Sequence, residues 1–230
     1  MPFLTTVWVS LVIFTCGLST AQSSAEMMRQ GTHRAALSAV VRLTVPLQRN
    51  DGVHSYHVTE DCSGTLVDRE SGMIVTAWHC FDGSMDLTQP PKVWLEGAWQ
   101  EVRLAVNGGE MNSDWAIVHL VAPNILENHA MAYGDDALMP GAEVIMSGYQ
   151  RDGSADTAQW IQATTSCVIT RHGKYWSETD CQLERGASGG AVMRLEGGRM
   201  RLIGVISAKS SGGGVLFVPL SRLGSHIAPP

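Results

Sequence analysis

Three side chains in this sequence have the types needed for nucleophilic acyl transfer: the imidazole of His79, the carboxylate of Asp114 and the hydroxyl of Ser188. That chemistry needs a hydroxyl to attack a carbonyl, an imidazole to take the hydroxyl proton, and a carboxylate to fix the imidazole tautomer and stabilise the imidazolium. Ser188 lies in Glu184-Arg185-Gly186-Ala187-Ser188-Gly189-Gly190-Ala191-Val192. Glycines two residues before it and directly after it suit a sharply turned loop that presents a hydroxyl and aims backbone N–H groups at one point. His79 ends the apolar run Ile74-Val75-Thr76-Ala77-Trp78, and Asp114 directly precedes Trp115-Ala116-Ile117-Val118. Each has a plainer explanation by itself: a small-residue turn, a structural histidine, an aspartate that forms a turn at a strand entrance. The joint pattern is far more specific than its members.

Residues so distant in sequence need a scaffold that brings them together. From Ala39 onward the chain shows many short apolar or alternating runs with turn residues between them, the signature of all-β sandwiches or barrels. The first set runs through Ala39–Val45, His54–Val58, Cys62–Val67, Met73–Ala77, Lys92–Leu95, Glu101–Val106 and Trp115–Leu120. The second runs through Glu143–Tyr149, Trp160–Thr164, Ser166–Thr170, Ala191–Leu195, Leu202–Ser207 and Val215–Val218, with a short helical turn at Ser221–Gly224. The expected fold is all-β: two packed six-stranded antiparallel β-barrels, over residues 37–121 and 141–230, joined by a connector at 122–140. His79 and Asp114 then belong to the first barrel and Ser188 to the second, and the cleft between the barrels assembles all three.

The N-terminus reads as a targeting segment. Residues 1–21 carry no charged side chain, hold an apolar run from Val7 to Phe14 and end Leu18-Ser19-Thr20-Ala21, so cleavage after Ala21 is expected. That run is short for a membrane anchor, which needs about 20 apolar residues. Residues 22–36 are polar and small and read as a disordered N-terminal or pro-segment, so that 22–230 forms one domain. With Cys16 removed in the signal, Cys62, Cys80, Cys167 and Cys181 remain. An even number in an exported chain implies disulfides. Of the three connectivities, Cys62 with Cys80 and Cys167 with Cys181 is the economical choice, because it closes two short loops. No Cys-x-x-Cys or His-Glu-x-x-His spacing occurs, so neither a metal nor a cofactor is expected. A net charge of −6 and no basic run argue against a nucleic-acid surface.

Thr76-Ala77-Trp78-His79-Cys80 resembles the Thr-Ala-Ala-His-Cys block of chymotrypsin-like serine proteases, and Cys62-Ser63-Gly64-Thr65-Leu66-Val67 resembles the strand before it. Asp114-Trp115-Ala116-Ile117-Val118 and Gly186-Ala187-Ser188-Gly189-Gly190 are similar to that family's Asp-Ile-Ala-Leu-Leu and Gly-Asp-Ser-Gly-Gly blocks. The resemblance spans Ala39 to Leu223. It implies a serine endopeptidase with Ser188 as nucleophile, His79 as general base and then acid, and Asp114 as orienting carboxylate. The N–H groups of Gly186 and Ser188 would form the oxyanion hole, the strand ending at Ser207 would bind substrate backbone, and Cys62 would pair with Cys80 behind the histidine. A polypeptide substrate, a monomeric state and a periplasmic or extracellular location go with it. Gly148-Tyr149-Gln150 and Asp180-Cys181-Gln182 resemble the bacterial branch that includes the glutamyl endopeptidases, and Lys209 is the candidate for meeting an acidic substrate group.

The departures bear on mechanism. Ala187 stands where activatable relatives carry an aspartate, Trp78 replaces a small residue beside the histidine, and Ile206 stands where glutamate-cutting relatives carry a histidine. A catalytically silent scaffold that binds a protein partner is the alternative from a different class. An esterase of the α/β-hydrolase kind fails on residue order, since Ser188 comes last and no helical pattern follows it.

Overall fold

In the computed structural model, which describes residues 31, 33–50, 52–86, 88–123, 129–134, 138–152 and 159–227, the alternating runs become two antiparallel barrels. The expected signal peptide lies outside the described residues. The first barrel is built from β1 (Val40–Asn50), β2 (Ser55–Asp68), β3 (Met73–Thr76), β4 (Ser84–Met85), β5 (Lys92–Leu95), β6 (Ala98–Asn107) and β7 (Ala116–Leu120). Its strand order is β2-β3-β7-β6-β5-β1, and pairing of β1 with β2 closes the ring, leaving the two-residue β4 as an addition on β1. The second consists of β8 (Glu143–Arg151), β9 (Trp160–His172), β10 (Ser177–Thr179), β11 (Ala191–Glu196), β12 (Arg199–Lys209) and β13 (Val215–Pro219), closed in the order β10-β13-β12-β11-β8-β9. Two closed six-stranded barrels are thus present, as the sequence patterning implies.

Successive strand residues face opposite sides, so every second residue of β1 points inward. Val41, Leu43, Val45 and Leu47 are accordingly buried against Leu66, Ile74 and Ile117. Met146, Ile169, Ile203 and Phe217 fill the second barrel. Burying each such side chain favours folding by about 1.5–3 kcal/mol. Two disulfides add to this: Cys62–Cys80 spans 18 residues and Cys167–Cys181 spans 14. Each restricts the unfolded chain by about 3 kcal/mol on loop-entropy grounds.

Three local expectations are corrected. β1 continues through Pro46 to Asn50 instead of stopping at the proline. The ring removes a donor, yet the Pro46 carbonyl still accepts the Asp86 N–H at 3.1 Å. The runs His54–Val58 and Cys62–Val67 are one strand, β2, because β1 pairs with it along its whole length from Val40↔Thr65 to Asn50↔Ser55. Residues 33–38 are helical, with Ala36 buried in the same cluster as Val41 and Leu66 and the Leu37 carbonyl accepting Gln162 Nε2–H at 2.7 Å, so the described end of the 22–36 stretch is ordered and packed. The described part of the connector touches both barrels, since Met131 N–H donates to Leu66 O and Gly134 N–H to Leu202 O.

Candidate active site

His79 sits in a single 3₁₀ turn, Trp78–Phe81, directly after β3. Cys80 and Phe81 are both buried, and the bond from Cys80 to Cys62 ties the turn to β2. Asp114 follows a second 3₁₀ turn, Met111–Ser113, at the entrance to β7. Because β3 and β7 are paired through Thr76↔Ala116, the residues just beyond their ends meet.

Asp114 is completely buried, and its carboxylate takes three donors. Oδ1 accepts the His79 backbone N–H at 2.9 Å, and Oδ2 accepts His79 Nδ1–H at 2.9 Å together with the Ser207 hydroxyl. An ionised carboxylate only accepts, so the imidazole carries its proton on Nδ1 and offers a lone pair on Nε2. Burial works against the charged form of Asp114, but the His79 hydrogen bond and charge and the Ser207 hydroxyl outweigh it, leaving its pKa below the ordinary aspartate value. Burial likewise disfavours the imidazolium of His79; the hydrogen bond and charge of Asp114, with Glu60 and Asp82 nearby, reverse the sign and raise its pKa above the ordinary value.

Ser188 lies in the loop between β10 and β11. That loop is fastened from both barrels: Ser63 N–H donates to Ser188 O at 2.7 Å, Gly189 N–H to Ile206 O at 2.7 Å, and Ile206 N–H to Gly190 O at 2.9 Å. The N–H groups of Gly186 and Ser188 find no acceptor among the described residues. Two donors left open by one tight loop are what a developing oxyanion would use. The Ser188 hydroxyl donates to the Ser207 carbonyl at 3.1 Å and is not hydrogen-bonded to His79 in this rotamer.

Glycine is required at 189. Its φ is +83°, and a Cβ there would run into the Ser63 carbonyl and the Thr76 hydroxyl. Gly189→Ala should therefore lower stability by about 3 kcal/mol or more. At Gly141, φ is +88° but no neighbour lies within 4 Å, so Gly141→Ala should cost only about 1 kcal/mol. Thermal melts of the two variants test this, and equal losses would show that the tight approach to Ser63 is not what demands glycine.

Of the sequence-derived residues, His79 and Asp114 are in direct contact, and Ser188 is linked to them through Ser207. Ser207 is buried, and its hydroxyl is spent on Asp114 while its carbonyl holds Ser188. Lys209 pairs through Nζ with Glu184 Oε2 at 2.9 Å, so its charge is already matched by a partner from the nucleophile loop. Cys62, His79 and Cys80 converge closely enough to suggest metal ligands, but both sulfurs are consumed by the disulfide. Sequence reasoning missed Ser63 and Thr76, whose hydroxyls lie inside the junction between the barrels. Also unanticipated is the stacking of the Arg42 guanidinium, 4.2 Å from the Trp160 ring, which links β1 to β9 across the same junction.

A family model described as the trypsin-like peptidase domain matches residues 62–205, more than half of the chain. The chain belongs to that family. The matched span contains His79, Asp114 and Ser188 and ends two residues before Ser207. The chain is also 27% identical over 171 residues to a protein of Haemophilus influenzae described as a probable periplasmic serine protease do/HhoA-like. That alignment covers 72% of this chain and 35% of the relative, so the chain spans about a third of the relative's length. Membership of a serine peptidase family agrees with the barrel pair, and the polar cluster lies where the two barrels meet.

Proposed function

We propose that the protein is an exported serine endopeptidase that hydrolyses peptide bonds through an acyl-enzyme on Ser188. The observation that carries this reading is the buried Asp114 carboxylate, which holds His79 by both its backbone N–H and its ring Nδ1–H. That arrangement leaves Nε2 as the proton acceptor. The Ser188 side chain turns from the Ser207 carbonyl to His79, a change of staggered rotamer. Oγ then attacks the scissile carbonyl carbon while its proton passes to Nε2. The carbonyl oxygen becomes an oxyanion and takes the two open N–H groups of Gly186 and Ser188. As the intermediate collapses, the C–N bond breaks, and the proton on Nε2 goes to the leaving amine. Water, deprotonated in turn by Nε2, attacks the ester carbon; the C–Oγ bond then breaks, Oγ takes the proton back from Nε2, and the carboxylic acid product leaves.

The two disulfides, the apolar N-terminal stretch and the periplasmic description of the relative support export, with the peptidase domain retained after removal of residues 1–21. The loop resemblance to the glutamyl endopeptidases does not extend to the pocket. Ile206 replaces their histidine, and Lys209, the candidate for meeting an acidic substrate side chain, already pairs with Glu184.

The pH profile tests the base. His79 acts only when neutral, so activity falls as pH drops through its pKa, tenfold per unit well below it. Because that pKa is raised, the acid limb should lie above the ordinary imidazole value of 6.5. Asp114, held below 3.8, stays ionised throughout. Measured kcat/KM for a peptide substrate should therefore rise from acid toward neutral pH, and a flat profile between about pH 5 and 8 would contradict the role of His79.

A further inference from the structure

The loop carrying Ser188 has a built-in difficulty. Gly186 sits at φ +101°, one open N–H group is its own and the other belongs to Ser188, and the peptide between them must keep one orientation for both to converge. That intervening peptide, Gly186–Ala187, is pinned at its two polar ends. Ala187 N–H donates within the loop to Glu184 O at 3.3 Å. The Gly186 carbonyl accepts the Ser63 hydroxyl at 2.7 Å, across 123 residues and from the opposite barrel.

Ser63 is completely buried, and each of its polar atoms is used at this junction. Its N–H donates to Ser188 O at 2.7 Å, its carbonyl accepts the Thr76 hydroxyl at 2.7 Å, and its Oγ accepts Tyr149 N–H at 2.7 Å while donating to Gly186. The Tyr149 carbonyl, at 3.5 Å, is a much weaker competitor for the same proton. Tyr149 N–H fixes where Oγ sits, so the hydroxyl proton has one good acceptor. Behind the loop, a Cβ on Gly186 would meet the Trp160 ring at 2.5 Å, so the peptide is gripped between an indole and a hydroxyl.

We infer that Ser63 is a positioning residue for the oxyanion site: its hydroxyl holds the Gly186 carbonyl away from the cleft and so keeps the neighbouring N–H groups of Gly186 and Ser188 available to the reacting oxygen. This rests on the serine-peptidase reading above. Ser63 itself touches no reacting atom. A carbonyl freed from Ser63 could rotate the Gly186–Ala187 peptide, and glycine at 186 offers little steric resistance to that turn.

The test compares the full-length wild type with Ser63→Ala and Ser63→Thr. Misplacing a catalytic group by about 1 Å costs about 10²-fold in rate, so kcat of Ser63→Ala should fall about 10- to 100-fold while KM stays within about threefold. Affinity for a peptide aldehyde, which adds to Ser188 and presents an oxyanion, should weaken by a similar factor. Affinity for the matching peptide alcohol, which cannot add, should not change. Ser63→Thr keeps the hydroxyl and should retain more kcat than Ser63→Ala, whatever the added methyl does to the melting temperature. A variant that melts earlier but keeps kcat within about threefold, or loses only KM, overturns the inference and leaves Ser63 a structural bridge. If the wild type itself neither turns over nor takes a serine-directed label, the peptidase reading fails separately. Crystal structures of wild type and Ser63→Ala then decide the point: a rotated Gly186–Ala187 peptide upholds the positioning role, and an unchanged one overturns it.

Discussion

Ser188→Ala should lower kcat for peptide hydrolysis by about 10⁶-fold, the loss expected when the nucleophile of such a cooperating set is removed. The fold should survive. Among the described residues the hydroxyl makes one hydrogen bond, to the Ser207 carbonyl, and the loop is held by backbone bonds that alanine keeps, from Ser63 to Ser188 O and from Gly189 to Ile206 O. The melting temperature should accordingly stay close to that of the wild type. Residual turnover within about tenfold of the wild type would remove Ser188 from the mechanism.

Asp114→Asn should lower kcat by about 10⁴-fold, through the tautomer of His79. Three donors converge on two carboxylate oxygens: the His79 N–H, the His79 Nδ1–H and the Ser207 hydroxyl. An amide can accept at one oxygen only. If its NH₂ replaces Oδ2, it donates to Nδ1, moves the ring proton to Nε2 and removes the base. If its NH₂ replaces Oδ1, it faces the backbone N–H of His79, and two buried donors oppose each other. Either outcome leaves a buried polar group unsatisfied at a cost of about 1–3 kcal/mol, so a lower melting temperature should accompany the kinetic loss. The acid limb of the profile should also move down, because the carboxylate is the chief influence raising the His79 pKa. A variant with wild-type kcat would show that the buried carboxylate is structural.

Much of this site is legible in the sequence, because its parts are local. A histidine at the end of one buried strand, an aspartate at the start of another and a serine among glycines each announce themselves within a few residues, as do cysteines 18 and 14 residues apart. Strand periodicity likewise distinguishes two sets of short strands from a helical bundle. What the sequence conceals is the junction between barrels. Ser63 reaches Gly186 across 123 residues, and Ser207 reaches Asp114 across 93. No spacing rule links such pairs, and small hydroxyl residues in strands usually need no special explanation. Lys209 is a related case: its partner Glu184 comes from a different segment, so the pairing of this cation is not visible in the sequence. The direction of the Ser188 hydroxyl, toward Ser207 and not His79, also depends on tertiary contacts.

The most direct test is covalent labelling of the purified wild-type protein with a fluorophosphonate, followed by mass spectrometry of its peptides. In that reaction the Ser188 oxygen bonds to phosphorus, fluoride leaves, and the hydroxyl proton passes to His79. The label should appear on Ser188 alone, and the labelling rate should fall as pH drops through the raised pKa of His79. An unlabelled protein, or a label on another serine, would contradict the assignment of Ser188 as the nucleophile.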